Sequence, residues 1–513
     1  MTDTEWREAG DHKPWTIALV LVVAAGFLLR IWNLGSGIPY AVGIDEPAIM
    51  TTVVRILKSG SFNPHFFEYP TGYIYVQLGM AIVQFLVGAM QHSWKAVEQV
   101  GASDFYLSGR FVTATIGAAT IALVHQAGLR WGARQALVAA GLLAVMPLHV
   151  RESHFVLTDV PLTFAVTLTL LLSLRASEKP ALKAFVLAGA AAGLAAGIKY
   201  NGLVAVSMPL AAVFAIGERG PARIAAALAT ATACVVAFFV TTPFALIDLP
   251  AFLNGFGNLS AAYTARPSAA DASWLIYVKH FRQALGWPAS ALAVAGLGLV
   301  AFKSFVGPTR ARWALLLVFP VVYFYQITGW SFMFARYALP IVPFLTIWAA
   351  IATMRAIELT NRARIPSAGR VAVVAAVLLA AAVPATLGSV GWVRGLGVET
   401  TQALAWKWIR SSVWRDQPIV SEARGLDLPA ERYRAETVRS LAGRDPEVLA
   451  AAGVEWIILS SDAWSSRTDA ERAKLAPPQA YDGLMLRAQE VEVIVPSAEH
   501  PGPEIHILRL ARH

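Results

Sequence analysis

Long apolar runs recur along the chain up to about residue 388, and polar connections separate them. The first run, Trp15 to Leu34, holds about twenty residues, which is the length that an α-helix needs to cross a bilayer. No small-residue cleavage site follows it, so we expect a retained membrane helix and not a removed signal peptide. Ten further runs bring the predicted membrane helices to eleven, and they lie at about 105–128, 135–150, 160–174, 184–198, 201–216, 224–243, 287–302, 313–327, 337–354 and 371–388.

One more apolar stretch, residues 69–90, is ambiguous, and the charges of the connections determine its interpretation. Five short connections carry 14 Lys and Arg residues against three acids, namely 130–134, 175–183, 217–223, 303–312 and 355–370. Because cytoplasmic loops retain Lys and Arg, these connections are predicted to be cytoplasmic. A chain that begins in the cytoplasm reaches that arrangement only if residues 69–90 do not cross. We therefore expect an interfacial or re-entrant helix there, a cytoplasmic N-terminus and an extracytoplasmic C-terminus.

After Ser389 the long apolar runs give way to shorter patterned segments. Two of them have the periodicity of amphipathic helices and three resemble strands, namely 400–410, 445–452, 455–460, 490–495 and 504–510. The pattern predicts a transmembrane module at 1–388 and a small extracytoplasmic α/β domain at 389–513. The outer loops that we expect to carry catalysis lie at 33–104, 151–159 and 244–286.

Composition and charge exclude several classes of protein. The chain is 56% hydrophobic and 15% charged, and its mean hydropathy is +0.54, which excludes a disordered chain, a coiled coil and a conventional soluble enzyme. Residues 1–393 carry 27 Lys and Arg against 16 acids, and residues 394–513 carry 15 against 17. The net charge of +9 therefore reports membrane topology and not nucleic-acid binding. Cys234, the one cysteine, excludes a disulfide framework and a cysteine-ligated metal.

The first predicted outer loop carries acids that topology does not require. Asp45 and Glu46 precede Pro47, and Glu68 and Tyr69 follow further along. Two adjacent acids beyond a span are typical of a catalytic pair, while an acid before a proline is equally typical of a helix N-terminus. Both interpretations stay open at this point, and Glu68 is also consistent with an ordinary loop acid.

The second outer segment packs four ionisable groups into nine residues: Arg151, Glu152, His154 and Asp159. Asp159 also suits the N-terminus of the next helix. His154 is more consistent with a hydrogen-bonded interfacial residue than with a metal ligand, because no other His lies at ligand spacing.

Cations form the third group of candidates. Lys199 lies where two short apolar runs meet, a depth at which an unpaired ammonium is costly, although its long side chain is able to reach the interface. Arg336 opens a later run, and Lys279 and Arg282 lie in the loop before residue 287. Outer acids beside outer cations indicate a site for a lipid-borne anion, in which cations hold a phosphate and an acid deprotonates an incoming group.

Taken in order, these motifs resemble the glycosyltransferases of the C superfold, in the branch of the protein O-mannosyltransferases and the bacterial aminoarabinose transferases. The resemblance covers about residues 40–355. Its motifs are Asp45-Glu46, Glu68-Tyr69-Pro70, Arg110, Pro147, His154, Asp159-Val160-Pro161, Gly193, Gly197-Ile198-Lys199-Tyr200-Asn201-Gly202, Thr242-Pro243-Phe244, Asp248, Arg336-Tyr337, Leu339-Pro340 and Pro343.

The resemblance implies a polyprenyl-phosphate sugar donor, a protein, lipid or glycan acceptor, and chemistry on the outer face of a bacterial-type inner membrane. By this resemblance Asp45 is the general base, Glu46 is its neighbour and Asp159 is the acid of the second outer loop. Lys199 and Arg336 take the donor phosphate, and the remaining substrate-binding candidates are Glu68, Tyr69, His154, Lys279 and Arg282. Here Glu-Tyr-Pro-Thr stands where the aminoarabinose enzymes have Glu-Lys-Pro-Pro, which argues against aminoarabinose transfer.

The implied reaction is one in-line displacement with inversion at the anomeric carbon. Fixed cations can stabilise the leaving phosphate, so no cofactor is required, although two close carboxylates are also able to hold a divalent cation. A transporter or lipid flippase is the competing class, because intramembrane ionisable residues suit it too. The sequence shows neither inverted repeats nor broken helices, and its acids lie in outer loops. A scaffold with a sensory C-terminal domain is the third class, and it explains neither the acids nor Lys199.

Overall fold

The structure is a computed structural model, and it describes residues 13–38, 45–214, 220–264, 273–362, 367–414, 416–422, 426, 428, 433–438, 440–464 and 475–510. The chain divides into two compact units. Within the described residues, the first unit comprises 13–34, 48–100 and 108–393. The second comprises the described parts of 35–47, 101–107 and 394–513.

Helices build the first unit. In chain order, the helices up to the second unit are Lys13–Ile31, Glu46–Ser59, Thr71–Met90, Ala102–Gly128, Ala133–Ala144, Pro147–Glu152, Asp159–Glu178, Leu182–Ile198, Ser207–Phe214, Pro221–Thr241, Phe244–Ile247, Leu249–Thr264, Ser273–Leu285, Trp287–Phe305, Arg310–Thr328, Val342–Arg362 and Ser367–Leu396. Shorter 3-10 turns lie at Val97–Gln99, Leu129–Trp131, Tyr200–Val206 and Ala335–Ile341.

The prediction of a polytopic helical membrane protein is confirmed. In the described part of the chain, nine helical segments are long and apolar enough to cross a membrane, and three apolar helices are shorter: Ala133–Ala144, Leu182–Ile198 and Tyr200–Phe214. These twelve segments are the eleven predicted runs together with Thr71–Met90. Eleven as the number of actual crossings stays a prediction.

Residues 69–90, the ambiguous apolar stretch, are helical as expected. They form one continuous helix, Thr71–Met90, whose 20 residues and apolar composition suit a membrane span. A helix of that length rises about 30 Å, so the segment does not fold back within its own length. Its interfacial or re-entrant position stays a prediction.

Three predicted runs are interrupted, where the sequence indicated unbroken helices. The run 135–150 stops at Ala144 and restarts as Pro147–Glu152, because a proline lacks the N–H that would continue the helix. The runs that begin near residues 201 and 337 each start as a 3-10 turn, and the second of these turns contains Pro340. Such turns are frequent at the ends of α-helices and between them.

Small residues bring two helices of the first unit close together. Gly189, Gly193 and Gly197 lie four residues apart on Leu182–Ile198, and all three face Pro221–Thr241. A Cβ added at Gly193 would lie 2.1 Å from the carbonyl oxygen of Cys234. Van der Waals contact between such stripes drives helix association in membranes, where apolar burial contributes little.

The second unit contains a five-stranded mixed sheet, which confirms a small C-terminal α/β region. The strands are β1 Ile419–Glu422, β2 Ala435–Val438, β3 Trp456–Ser460, β4 Gln489–Ile494 and β5 Ile505–Arg509. Their order is β2-β1-β3-β5-β4, with β1 parallel to β2 and β3, and with β5 antiparallel to β3 and β4. The helices of this unit are Thr401–Ser412, Pro446–Ala451 and Asp482–Arg487, with 3-10 turns at Ser461–Ala463 and Pro478–Tyr481.

Alternating side chains of β3 supply a core on each face of the sheet. Trp456 and Ile458 pack with one cluster, and Ile457 and Leu459 pack with the other. This alternation is the period of two that a strand requires. The predicted segments 400–410, 445–452, 455–460, 490–495 and 504–510 are all confirmed as helices or strands of this unit.

Candidate active site

Three charged side chains from separate motifs meet inside the first unit. The Lys199 ammonium donates a hydrogen bond of 2.7 Å to Oδ1 of Asp159, and Nε of Arg336 lies 3.8 Å from Oδ2 of the same carboxylate. The exposed fractions of these side chains are 9% for Lys199, 13% for Arg336 and 1% for Asp159. The two cations and the carboxylate form one buried charged cluster, and cations held in this way can bind an anionic ligand.

Each of these side chains lies at the end or interruption of a helix. Asp159 is the first residue of its helix, Lys199 directly follows the end of another, and Arg336 lies in the 3-10 turn that precedes Val342–Arg362. The N-terminal end of a helix dipole stabilises a carboxylate, and the C-terminal end stabilises an ammonium. The local backbone therefore supports both the negative charge of Asp159 and the positive charge of Lys199.

Aromatic rings surround the two cations. Nζ of Lys199 lies 4.8 Å from the ring centroid of Tyr337, and the guanidinium carbon of Arg336 lies 4.8 Å from that of Phe334. The hydroxyl of Tyr337 is 2.7 Å from that of Tyr263. Contacts between cations and aromatic faces are strongest where water is excluded. The rings therefore stabilise the cations without neutralising them.

A cavity of about 540 Å³ opens beside Lys199. Its polar lining residues are Glu68, Tyr69, Lys199, Tyr200, Asn201, Ser260, Tyr263, Thr264 and Gln326, and its apolar ones are Leu203, Val204, Phe256, Leu259 and Trp330. The volume lies in the range of small-ligand pockets. A wall that is polar at Lys199 and apolar at Leu203 suits an amphiphilic ligand.

The predicted motif at Glu68 and Tyr69 lies at this same cavity. The Tyr200 hydroxyl donates a hydrogen bond of 2.9 Å to the carbonyl oxygen of Phe67, which ties that loop to the turn after Lys199. Glu68 is exposed and Tyr69 is half-buried. The structure thus brings Glu68, Tyr69, Lys199, Asp159 and Arg336 into one region of the first unit.

His154 lies near these residues but is held by the backbone. Its Nδ1 lies 2.8 Å from the carbonyl oxygen of Val150 and its Nε2 lies 3.1 Å from that of Trp32. Its ring packs edge-on against Trp392 at 4.9 Å. Burial lowers the pKa of His154, and the contacts with the two carbonyl oxygens oppose that fall. These contacts fit the expected hydrogen-bonded residue and leave neither ring nitrogen directed at the cavity.

Glu152 is a further buried acid in this segment. It accepts hydrogen bonds of 2.8 and 2.6 Å from the guanidinium of Arg151. Burial raises the pKa of Glu152, and the Arg151 charge opposes that rise. The Glu152 carboxylate therefore pairs with Arg151, and it does not line the cavity.

Lys279 and Arg282 lie on the Ser273–Leu285 helix. Lys279 is exposed, and the guanidinium carbon of Arg282 lies 4.9 Å from the ring of Trp287. The same helix contributes His280, whose Nε2 lies 3.0 Å from the Met333 carbonyl oxygen, three residues before Arg336. Neither Lys279 nor Arg282 lines the cavity.

Asp45 and Glu46 belong to the second unit. Glu46 is the first residue of the Glu46–Ser59 helix, and Pro47 follows in its first turn. The helix start that the acid-proline pattern predicts is confirmed, while the catalytic role of this pair stays a prediction. Among the described residues, no group of three or more His, Cys, Asp or Glu side chains is arranged to hold a metal ion.

Several polar contacts near Asp159 were not predicted from the sequence. Nδ2 of Asn201 donates a hydrogen bond of 2.7 Å to the buried hydroxyl of Tyr323, and Tyr263 pairs with Tyr337. Tyr277 is buried, and its pKa is raised, first by burial and also by the charges of Tyr263 and Asp159. Asn201 and Tyr337 lie within motifs quoted from the sequence, whereas Tyr263 lies in the predicted outer loop 244–286 and Tyr323 lies in an apolar run. No motif marks either of these two tyrosines.

Comparison with known proteins gives one sequence match and several structural ones. Residues 100–247 match the family model of dolichyl-phosphate-mannose-protein mannosyltransferases. This segment contains His154, Asp159 and Lys199. No curated protein sequence matches the chain.

Two solved structures share the architecture over most of the chain. ArnT from Cupriavidus metallidurans bound to undecaprenyl phosphate has a TM-score of 0.60 and 16% identity, with 97% of this chain and 98% of that chain covered. The Archaeoglobus fulgidus oligosaccharyltransferase in the apo form has a TM-score of 0.57 and 14% identity, with 89% of this chain and 71% of that chain covered. The chain has the fold of the C-superfold glycosyltransferases, and the resemblance seen in its motifs is confirmed.

Proposed function

We propose that this membrane protein transfers a sugar from a polyprenyl-phosphate donor to a protein, lipid or glycan acceptor on the extracytoplasmic face of a bacterial-type inner membrane. The observation that carries the proposal is the cavity beside Lys199, whose polar end contains this buried cation and whose other walls are apolar. A phosphate joined to a prenyl chain likewise has one charged end and one apolar end. The matched family and the undecaprenyl phosphate bound by ArnT support this class of donor.

The proposed reaction is a single displacement at the anomeric carbon. An acceptor oxygen forms the new bond to that carbon, the bond from carbon to the phosphate oxygen breaks, and the configuration inverts. The acceptor's proton goes to the Asp45 carboxylate, with Glu46 beside it, and general-base help of this kind typically contributes about 10²–10⁴-fold. The leaving group is the polyprenyl phosphate, which takes the electron pair of the broken bond.

Lys199 and Arg336 are proposed to hold the phosphate as its charge grows. Fixed cations in a site with little water stabilise such charge without reorganisation, so the step requires no cofactor. Asp159 accepts the Lys199 hydrogen bond and faces Arg336, which suits orientation of the two cations better than proton transfer. Glu68 and Tyr69 are proposed to contact the sugar, while His154, Lys279 and Arg282 play indirect roles.

The phosphate role of Lys199 has a direct test. Lys199→Gln removes the ammonium and should weaken binding of a synthetic polyprenyl phosphate at least about tenfold, since charge-assisted contacts contribute roughly 1.5–3 kcal/mol each. Lys183→Gln is the matched control, because Lys183 is an exposed residue near the other end of the same helix. Tryptophan fluorescence titration in detergent measures the affinity. Unchanged binding in Lys199→Gln would remove this residue from the phosphate site.

The general-base role of Asp45 requires a different readout. Asp45→Asn keeps the size of the side chain and removes its basicity, so turnover should fall by a factor of about 10² or more while donor binding stays intact. Glu98→Gln, an exposed acid in a 3-10 turn, is the control. Single-turnover transfer from a synthetic donor measures the rate. An Asp45→Asn enzyme that retains most of its rate would exclude the proposed base.

A lipid-linked sugar transporter is the second candidate, and one observation favours it. The 3-10 turns beside Lys199 and around Arg336 interrupt apolar segments, as transporter binding sites often do. The detergent assay separates the two functions, because sugar transfer without a sealed membrane is not transport. Donor binding without transfer to any acceptor class would favour the transporter.

A further inference from the structure

A second cavity of about 490 Å³ lies in the first unit, away from Asp159. Its lining residues are Arg130, Trp131, Gln135, Leu299, Phe302, Lys303, Arg312, Trp313, Ile351, Met354, Arg355 and Glu358. Four of them are cations and one is an acid. None of the residues proposed for sugar transfer contributes to it.

This cavity lies at the opposite end of a central helix from the candidate active site. Nε of Arg130 lies 3.3 Å from Oε1 of Glu178, the last residue of the helix that Asp159 begins. That helix has 20 residues and therefore rises about 30 Å, which is the thickness of the hydrocarbon core. The two sites thus belong to the two opposite interfaces of a bilayer.

The lining of the cavity combines indoles with guanidinium groups. The rings of Trp131 and Trp313 meet edge-on at 5.7 Å, and the guanidinium carbon of Arg312 lies 5.9 Å from the Trp131 ring. Tryptophan is enriched at the level of lipid headgroups, and basic pockets between membrane helices bind anionic headgroups. Leu299 and Phe302 give the same cavity an apolar wall, and Phe302 is 61% exposed.

Two donors in this region lack an acceptor within the described chain. Nε of Arg312 and Nε1 of Trp131 are both buried and make no hydrogen bond there. By contrast, Arg130 pairs with Glu178, and Arg355 pairs with Glu358 at 2.9 Å. Lys and Arg side chains whose only role is to keep a loop in the cytoplasm would be exposed to water. Buried donors beside a cavity indicate instead an acceptor that arrives with a ligand.

We propose that this cavity binds the phosphate-ester headgroup of an anionic phospholipid. The phosphate oxygens accept hydrogen bonds from Arg312 and Trp131 and face Lys303, while the glycerol and the start of the acyl chains pack against Leu299 and Phe302. The site is independent of the proposed sugar transfer, because it lies about 30 Å from Lys199 and uses none of the same side chains.

Native mass spectrometry of the delipidated full chain in detergent tests this proposal, with phosphatidylglycerol as the probe. Binding should be at least about fivefold weaker in Arg312→Gln and in Lys303→Gln, which is the effect of one cation near a headgroup. Lys303 is exposed, so its substitution leaves the packing intact. Arg134→Gln is the control, since Arg134 is an exposed cation in the same connection as Arg130 but outside the cavity lining, and it should bind like the unmodified chain.

Two further probes identify the source of the phosphate group. Phosphatidylcholine should bind at least about fivefold more weakly than phosphatidylglycerol, and inorganic phosphate should not displace phosphatidylglycerol at millimolar concentration. The proposal is overturned if Lys303→Gln binds phosphatidylglycerol like the unmodified chain, or if phosphatidylcholine binds equally well. Displacement by inorganic phosphate would assign the cavity to a free anion and would likewise overturn the lipid assignment.

Discussion

The Asp159 carboxylate is the residue on which the candidate active site depends most. Its side chain is 1% exposed and faces Lys199 at 2.7 Å and Arg336 at 3.8 Å. Removing one partner of a buried ion pair leaves the other charge uncompensated, which costs far more than the pair contributes when intact. The Lys199 ammonium therefore depends on this carboxylate as its buried counter-ion.

A single and a double substitution test this dependence. Asp159→Asn should destabilise the protein by about 3–5 kcal/mol, because the Lys199 ammonium then lacks its counter-ion. Adding Lys199→Met should restore much of that loss. Glu178→Gln at the other end of the same helix should cost no more than about 1 kcal/mol, since Glu178 is 38% exposed in its pair with Arg130. Unfolding in detergent followed by circular dichroism measures all four chains, and equal losses in the single and double variants would contradict the argument.

At this scale the sequence predicted which residues lie together better than how they pair. Lys199, Arg336, Glu68 and Tyr69 were assigned to one site, and the structure brings them together. Asp159 was predicted as a catalytic acid, but a sequence does not reveal that a carboxylate is enclosed by cations. The pairing of Tyr263 with Tyr337 was missed because these residues lie 74 positions apart, and only tertiary packing brings their hydroxyls within 2.7 Å.

Helices Leu182–Ile198 and Pro221–Thr241 approach each other along a stripe of glycines, and Lys199 directly follows the first of them. Backbone atoms, not side-chain ends, stand in the way of an added Cβ at Gly189 and Gly193. Rotation of a side chain therefore cannot relieve the contact. The separation of these two helices is fixed, and with it the position from which Lys199 projects.

The glycine stripe gives a prediction for the helix pair. Gly193→Ala places a Cβ 2.1 Å from the Cys234 carbonyl oxygen, so the helices must separate, and we expect a loss of about 1–3 kcal/mol. Gly298→Ala is the control, because a Cβ at this helical glycine meets nothing within 4 Å. There the higher helix propensity of alanine should leave stability unchanged or slightly raised. Thermal unfolding in detergent compares the two, and equal behaviour would refute close packing at Gly193.

Helices and strands were predicted well where the spacing of hydrophobic residues along the chain determines them. Thr401–Ser412 and Trp456–Ser460 lie within a residue or two of their predicted bounds, because each buries one face or a short apolar run. Strands β1 and β2 were missed, since each has only four residues and is held by parallel pairing with distant partners. The break at Pro147 was missed although proline signals it, because the surrounding run is apolar throughout.

For the whole molecule, two physical criteria bear on topology and give different answers. The charges of the connections favour a topology in which residues 69–90 do not cross the membrane. The length and apolar composition of Thr71–Met90, by contrast, suit a crossing. Ala133–Ala144 has 12 residues and rises only about 18 Å, well short of the hydrocarbon core. Whether the number of membrane crossings is odd or even therefore depends on short helices such as Ala133–Ala144. A count of apolar runs treats these short helices as equal to long ones.

The length of the helix Asp159–Glu178 has a consequence for the bilayer that the protein fits. Ion pairs hold both of its ends, since Asp159 pairs with Lys199 and Glu178 pairs with Arg130. The Glu178 end is partly exposed, so it cannot enter hydrocarbon without a large desolvation cost. The molecule is therefore matched to a hydrocarbon core about 30 Å thick. A thinner membrane obliges this buried helix to tilt together with its neighbours, so lipid thickness acts on the whole bundle and reaches both charged ends at once.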